Sequence, residues 1–165
     1  MADERIIEVA EGPSISSKLG EGVERHASAI RLPVSYGIKV WIERPYERVL
    51  AAVKEKLVQE GLVIAYEADV RKFISNLSGA DFPHYTILGV WHPTWANQAL
   101  HLDLDCGLLL PFGLVVYEQT NGTVVEAVDP IVLFAIPGGA DLQELARTVK
   151  MKLEDVVDHV FALLD

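Results

Sequence analysis

The pattern of hydrophobic and polar positions becomes regular after Gly37 and predicts a succession of strands and helices. Apolar residues occupy every second position of 38–42, which is typical of a half-buried strand. Apolar residues then recur at helical spacing after Pro45, which suits the first turn of a helix, until Gly61, which ends it. The same reasoning predicts two more strands over 62–67 and 85–91 and a short helix over 69–78.

The middle of the chain predicts a short helix and then an interrupted strand. Pro93 begins a helix that extends through Leu100. The apolar segments 108–110 and 114–118 predict a fourth strand, interrupted at 111–113. Proline removes a ladder donor and glycine relaxes the backbone, so the interruption is expected to be a bulge or a bend.

The last third predicts a hairpin and one long helix. Asn121-Gly122 tolerates the positive φ of a tight turn and leads into a fifth strand over 123–128. After Gly138-Gly139, apolar residues over 142–164 form one stripe of about six helical turns. Strands joined by a hairpin, with helices on one side, predict the α+β class, with a mainly antiparallel sheet of about five strands. A helix in the N-terminal half and the long C-terminal helix are expected to pack against this sheet.

The domain organisation follows from where the regular pattern begins. Residues 1–36 are rich in glycine, serine and charge and are predicted to be an N-terminal extension, in which Ile6, Ile7 and Val9 could form a short strand. Residues 37–165 are predicted to form a single domain. The first residues contain no apolar segment of signal-peptide length, and no apolar run approaches about 20 residues, so a cytoplasmic protein is expected.

Composition and charge exclude several classes of function. The chain has 165 residues, half of them apolar, and a mean hydropathy of +0.24, which excludes a mostly disordered chain. Its formal net charge is −10, with 14 basic and 24 acidic residues. Because an acidic surface repels phosphate, nucleic acid and anionic membranes are not expected as partners.

The basic residues are unevenly distributed. Residues 73–146 contain no lysine or arginine but eight acidic residues. One interpretation is a buried sheet, from which charge is excluded. The other is a surface that meets an apolar ligand, a cation or a second subunit.

Sequence motifs for the common enzyme classes are missing. The chain contains no nucleophile elbow, no P-loop, no dinucleotide-binding glycine motif, no His-Glu-x-x-His and no Cys-x-x-Cys. The remaining candidates are His101, Asp103 and Asp105, which would share one face if their segment were extended. Imidazole and carboxylate groups are suitable ligands for zinc, iron or manganese, so one interpretation of this segment is a metal site. The alternative interpretation is a hydrophilic turn.

His92 lies between two tryptophans and is a second candidate. Trp91 and Trp95 could form an apolar wall, with the imidazole of His92 facing a haem iron or a flat aromatic ring. The alternative is that His92 begins a helix and that the tryptophans belong to the core or a dimer contact. Cys106 is flanked by Asp105, whose charge is expected to raise the thiol pKa and to keep it unreactive.

Several sequence blocks, taken in their order and spacing, resemble a known family. The segments Tyr85–Pro93, Gly107–Pro111 and Val115–Glu118, followed by Gly122-Thr-Val and Asp129-Pro130, are similar to the bacterial and archaeal family named domain of unknown function 302 (DUF302). The resemblance extends from residue 37 to about residue 161. It implies a curved, mainly antiparallel sheet held by helices, often in a homodimer, and no established reaction.

The sequence also departs from that family. Members often carry a cysteine after the Leu-Gly-x of the third strand and a Pro-Cys-Asn after the Leu-Leu-Leu segment. Here Trp91 and Phe112-Gly113 stand at those positions, so the resemblance does not imply thiol chemistry. Trp91 and Phe112, together with His92 and Trp95, are therefore the predicted ligand-binding residues.

Three functions remain open. The first is a non-enzymatic homodimeric module that binds a small apolar or aromatic ligand or a protein partner, favoured because catalytic motifs are missing. The second is a haem- or metal-binding accessory protein that uses His84, His92 or His101, with Asp103 and Asp105 as further metal ligands. The third is a small hydrolase or isomerase built around His101, Asp103 and Asp105.

Overall fold

The fold is built on one six-stranded antiparallel sheet. The structure is a computed structural model that describes residues 29–32, 34 and 36–164. The strand order is β1-β2-β6-β5-β4-β3, so β1 and β3 form the two edges. The strands are β1 (Ala29–Leu32), β2 (Gly37–Ile42), β3 (Val63–Asp69), β4 (Tyr85–Trp91), β5 (Phe112–Gln119) and β6 (Gly122–Val128). This confirms the predicted α+β class and antiparallel sheet, with one strand more than the sequence predicts.

Five α-helices accompany the sheet in the described residues. They are α1 (Tyr46–Gln59), α2 (Val70–Ser78), α3 (Pro93–Leu102), α4 (Pro130–Leu133) and α5 (Ala140–His159). Short 3-10 helices follow α3 at Leu104–Leu109 and α5 at Val160–Leu163. The helix in the N-terminal half and the long C-terminal helix are therefore present as predicted.

The additional strand, β1, lies inside the segment that the sequence predicts to be an extension. It pairs antiparallel with β2, with Ala29 opposite Ile42 and Leu32 opposite Lys39. Four residues are too short to show a period of two, which explains why the pattern did not indicate a strand. The predicted strand at Ile6, Ile7 and Val9 lies outside the described residues.

The hydrophobic core lies between one face of the sheet and the helices α1 and α5. Helix α1 contributes Val49 and Val53, and α5 contributes Val156 and Val157, all completely buried. The strand residues that face these helices lie at every second position, because successive side chains of a strand point to opposite faces of the sheet. They include Val40 and Ile42 in β2, Leu88 and Val90 in β4, Leu114 and Val116 in β5, and Val125 and Ala127 in β6.

The predicted strand over 108–110 is wrong, because a 3-10 helix takes its place. The carboxylate of Asp103 accepts a hydrogen bond from the backbone N–H of Asp105 at 2.9 Å and caps this helix. Leu108 is 88% exposed, so its apolar side chain does not join the core. A cis peptide bond between Leu110 and Pro111 then leads into β5.

The edge strand β3 is irregular. Ile64 pairs with Val90, but Tyr66 pairs with Gly89, so the register shifts between Ile64 and Tyr66 in a β-bulge. Between the interior strands β5 and β6, Asn121 adopts a φ of 60° in the tight turn, as predicted.

Candidate functional site

His92 and Trp95 are the two predicted ligand-binding residues that the structure brings together. His92 immediately precedes α3 without a side-chain hydrogen bond to the helix, and its ring stacks on Trp95 with centroids 4.6 Å apart and an interplanar angle of 30°. The Nδ1 atom of His92 is buried and has no hydrogen-bond partner among the described residues. A buried nitrogen without a partner costs free energy, so this atom is a place where a ligand or water would be stabilised.

The other two aromatic candidates lie elsewhere. Trp91 follows Val90, whose side chain enters the core, so Trp91 points to the opposite face of the sheet. Trp91 and Trp95 therefore do not form one wall. Phe112 is only 2% exposed and packs edge-on against Phe134 at a centroid distance of 5.7 Å, inside the core.

The predicted metal ligands do not converge. The segment from His101 to Asp105 is not extended, because α3 continues to Leu102 and a 3-10 helix begins at Leu104. His101 Nδ1 lies 2.8 Å from the carbonyl oxygen of Asn97, and Asp103 caps the 3-10 helix. Within the described residues, no three histidine, cysteine, aspartate or glutamate side chains form a group that could hold a metal ion. A haem or metal role for His84, His92 or His101 stays a prediction.

Cys106 is not an activated thiol. It is 1% exposed, and burial raises the pKa of its thiol, with the charges of Asp103 and Asp105 raising it further. The predicted direction is confirmed, although burial contributes more than the neighbouring acids.

A groove of about 570 Å³ lies between α3 and the first half of α5. Trp95 and Leu145, which are 9% and 7% exposed, form its apolar part together with Leu102. Its volume falls within the range of small-molecule sites. The polar side chains that line it are Thr94, Gln98 and His101 on α3, and Asp141, Glu144 and Thr148 on α5.

A polar cluster ties the start of α1 to β4. The hydroxyls of Tyr46 and Thr86 lie 2.5 Å apart in a buried hydrogen bond, and the Tyr46 ring stacks on His84 at 4.8 Å. The guanidinium of Arg71 donates to Nε2 of His84 at 2.8 Å. Burial raises the pKa of Tyr46, and nearby carboxylates add to this, so the phenol keeps its proton at neutral pH. The cluster is suited to holding α1 on the sheet rather than to accepting a proton.

The face of the sheet opposite the core, called the second face below, carries aromatic residues and is not the face on which α1 and α5 pack. Tyr85 and Tyr117 stack at 5.1 Å on adjacent strands, and Lys39 lies over the Tyr117 ring at 5.5 Å. The Lys39 ammonium is 3.6 Å from the Glu126 carboxylate. Burial lowers the pKa of Lys39, but its contacts with Tyr117 and Glu126 outweigh this, so the pKa is raised and the ammonium stays charged.

Two glycines lie opposite each other on that second face but have different surroundings. Gly89 in β4 pairs with Gly113 in β5. A Cβ added at Gly89 would lie 2.6 Å from Cδ1 of Tyr66 and 2.8 Å from Cγ of Pro111, whereas one added at Gly113 would meet nothing within 4 Å. Tyr66 thus covers Gly89, and Gly113 leaves a shallow depression.

Sequence reasoning missed most of the groove and the whole of the Tyr46 cluster. The groove residues of α3 recur at helical spacing from Thr94 to Leu102, and those of α5 recur from Asp141 to Thr148. This spacing is visible in the sequence, but polar residues on a helix usually face solvent, and only the packing of the two helices turns them toward each other. Tyr46 and Thr86 are 40 residues apart, so no local pattern joins them.

Comparison with known proteins gives a family and a structural relative. The family model DUF302, a domain of unknown function, matches residues 38–160. The structure is similar to the crystal structure of an uncharacterized conserved DUF302 protein from Bacillus stearothermophilus, with a TM-score of 0.72 and 25% sequence identity. The match covers 77% of this chain and 99% of that one. No curated protein matches the sequence. None of the helices in the described residues has the length and apolarity needed to cross a membrane.

Proposed function

The chain belongs to the DUF302 family, a domain of unknown function, and we propose that it is a non-enzymatic homodimeric module that binds a small apolar or aromatic ligand in the groove between α3 and α5. The single observation that carries the proposal is the groove itself, whose apolar part is made by Trp95 and Leu145. Pockets that combine an apolar wall with a few polar groups are the usual sites of small molecules.

The neighbourhood of the groove supports a ligand there. His92, which does not itself line the groove, stacks on Trp95 and so fixes the position of its ring. A ligand that inserts beside Trp95 would bury more of the tryptophan, and aromatic contacts of this kind add to the free energy of binding.

Binding rather than catalysis is supported by what the reactive side chains do. Asp103 caps a 3-10 helix, the His101 ring lies against the Asn97 carbonyl, and the Cys106 thiol is buried with a raised pKa. Catalysis requires a nucleophile or base held within hydrogen-bond reach of a reacting atom. Asp103 and His101 instead form contacts at helix ends, and the Cys106 thiol is enclosed in the core.

The test of ligand binding uses a small neutral aromatic probe and two matched variants. We expect 2-phenylethanol to shift the NMR amide signals of α3 and of the first half of α5. Gln98→Trp should abolish these shifts, because the indole would fill the groove, whereas Asn97→Trp, one position away and outside the groove, should retain them. Absence of any shift at millimolar probe, or equal shifts in both variants, would contradict the proposal.

The homodimeric part of the proposal concerns the second face of the sheet. Its side chains include Tyr85, Ile87 and Trp91 of β4 and Val115 and Tyr117 of β5, all partly exposed. Partly exposed aromatic residues on one surface are typical of interfaces, in which each partner buries about 800 Å². A second copy of the chain is the occupant we propose, since a twofold dimer brings the same surface patch of both copies together.

Sedimentation velocity tests the dimer. The wild type is expected to sediment as a dimer and Ile87→Lys as a monomer, because a lysine in the middle of the face would place two unpaired charges in the interface. Val58→Lys is the control, since Val58 is 70% exposed on α1, away from the sheet. A monomeric wild type, or a dimer that persists in folded Ile87→Lys, would refute this part of the proposal.

A further inference from the structure

The charges around the groove between α3 and α5 indicate the class of its ligand. Resting on the ligand-binding function proposed above, we infer that the ligand is an organic cation, an amine with an apolar or aromatic body. The body lies against Trp95 and Leu145, and the cationic group lies at the rim, near Asp141 and Glu144.

The rim carries two carboxylates, and its lining includes no lysine or arginine. Asp141 and Glu144 lie one turn apart at the start of α5. The nearest basic group on that helix, Arg147, is 3.6 Å from the Glu144 carboxylate, and both side chains are largely exposed, so the pair is weak. Asp141 takes part in no ion pair within the described residues. These carboxylates would repel an anionic ligand and attract a cation.

The remaining polar groups favour the same ligand. Thr94, Gln98 and Thr148 add side-chain oxygens along the groove. An ammonium group offers only donors, so these acceptors suit it.

The apolar part of the groove favours an organic cation over a simple metal ion. Trp95 and Leu145 would remain in contact with water around a small inorganic cation, whereas an organic body covers them.

The experiment compares two probes of nearly equal size that differ in charge. By NMR titration at low salt, 2-phenylethylammonium should bind about tenfold more tightly than 2-phenylethanol, as expected for one unit charge near two exposed carboxylates. The double variant Asp141→Asn/Glu144→Gln should reduce this preference to about twofold or less, and 0.5 M salt should reduce it as well. The matched control Glu55→Gln/Glu118→Gln makes the same change in net charge away from the groove and should keep the preference.

The outcomes separate this inference from the function on which it rests. Equal binding of both probes at the groove would overturn the cation inference and leave the proposed function standing. Failure of both probes to bind would overturn both. A preference for the ammonium that survives Asp141→Asn/Glu144→Gln would also overturn the inference, because the attraction would then come from the overall charge of −10.

Discussion

The ammonium of Lys152 donates to the carboxylate of Glu60 at 2.7 Å, and this contact joins the middle of α5 to the end of α1 across 92 residues. Lys56, one helical turn before Glu60, reaches the other carboxylate oxygen at 2.8 Å. The hydrogen bond from Lys152, with that from Lys56, lowers the pKa of Glu60 to about 2. The two helices that cover the sheet are therefore linked by one partly buried carboxylate.

Stability is expected to fall in acid because of Glu60. A carboxyl whose pKa is lower in the folded state stabilises the protein above the unfolded pKa of about 4.3, and the contribution is lost as pH falls toward 2. Glu60→Gln should therefore reduce the free energy of unfolding at pH 7 by about 1–2 kcal/mol and flatten its decline between about pH 5 and pH 2. Urea unfolding at several pH values measures both effects.

The control for that change is Glu55→Gln. Glu55 lies on the exposed side of α1, where its carboxylate accepts from Gln59 at 3.2 Å and forms no ion pair with another described residue. Its substitution should leave the pH profile of stability unchanged. Identical profiles for Glu60→Gln and the wild type would show that the link between α1 and α5 does not stabilise the fold.

Tyr46 and Thr86 should be coupled energetically. Tyr46→Phe keeps the ring that stacks on His84 but leaves the Thr86 hydroxyl, which is 2% exposed, without its partner. We expect a loss of about 1–2 kcal/mol from this variant and a similar loss from Thr86→Val. The double variant should lose clearly less than the sum, because it leaves neither hydroxyl unpaired. Strictly additive losses in chemical denaturation would argue against the hydrogen bond.

Alanine should have opposite effects at two paired glycines. Gly89→Ala places a methyl group against the Tyr66 ring and Pro111 and should cost about 1–3 kcal/mol. Gly113→Ala, directly opposite in the sheet, enters open space and should be neutral or stabilising by up to about 1 kcal/mol. Melting temperatures of both variants test the prediction, and equal destabilisation would contradict it.

The core positions predicted from helical spacing should not tolerate charge. Val53 and Val157 are completely buried, so Val53→Asp or Val157→Asp would bury an unpaired carboxylate and should cost more than about 3 kcal/mol. Val58→Asp, on the exposed side of the same helix as Val53, should cost less than about 1 kcal/mol. A wild-type melting temperature for Val53→Asp would refute the burial of α1.

The helices α1 and α5 were predictable from sequence because each carries a long apolar stripe. Val49, Val53 and Leu57 recur at helical spacing, and all three are completely buried. The turn at Asn121 was equally readable, since few residues adopt its positive φ. Local geometry and hydrophobic burial favour the same structure at these positions, so the pattern determines the element.

Other features depend on contacts that the local sequence does not encode. The segment 108–110 is as apolar as a strand, but Leu108 and Leu109 end the 3-10 helix that Asp103 caps, and only Leu110 is extended. The groove depends on α3 and α5 packing side by side, so Gln98 and Asp141 become neighbours only in the folded chain. His92 was identified because two tryptophans flank it, yet only one of them reaches its ring.

The two edge strands of the sheet, β1 and β3, are poorly suited to pairing with a strand of another molecule. Within the described part of the chain, β1 offers four residues to an incoming strand, and the register of β3 shifts between Ile64 and Tyr66. A straight β-ribbon from another molecule could not keep its hydrogen bonds along either border. Even at high concentration, the protein should therefore resist open-ended fibre growth through its strand borders.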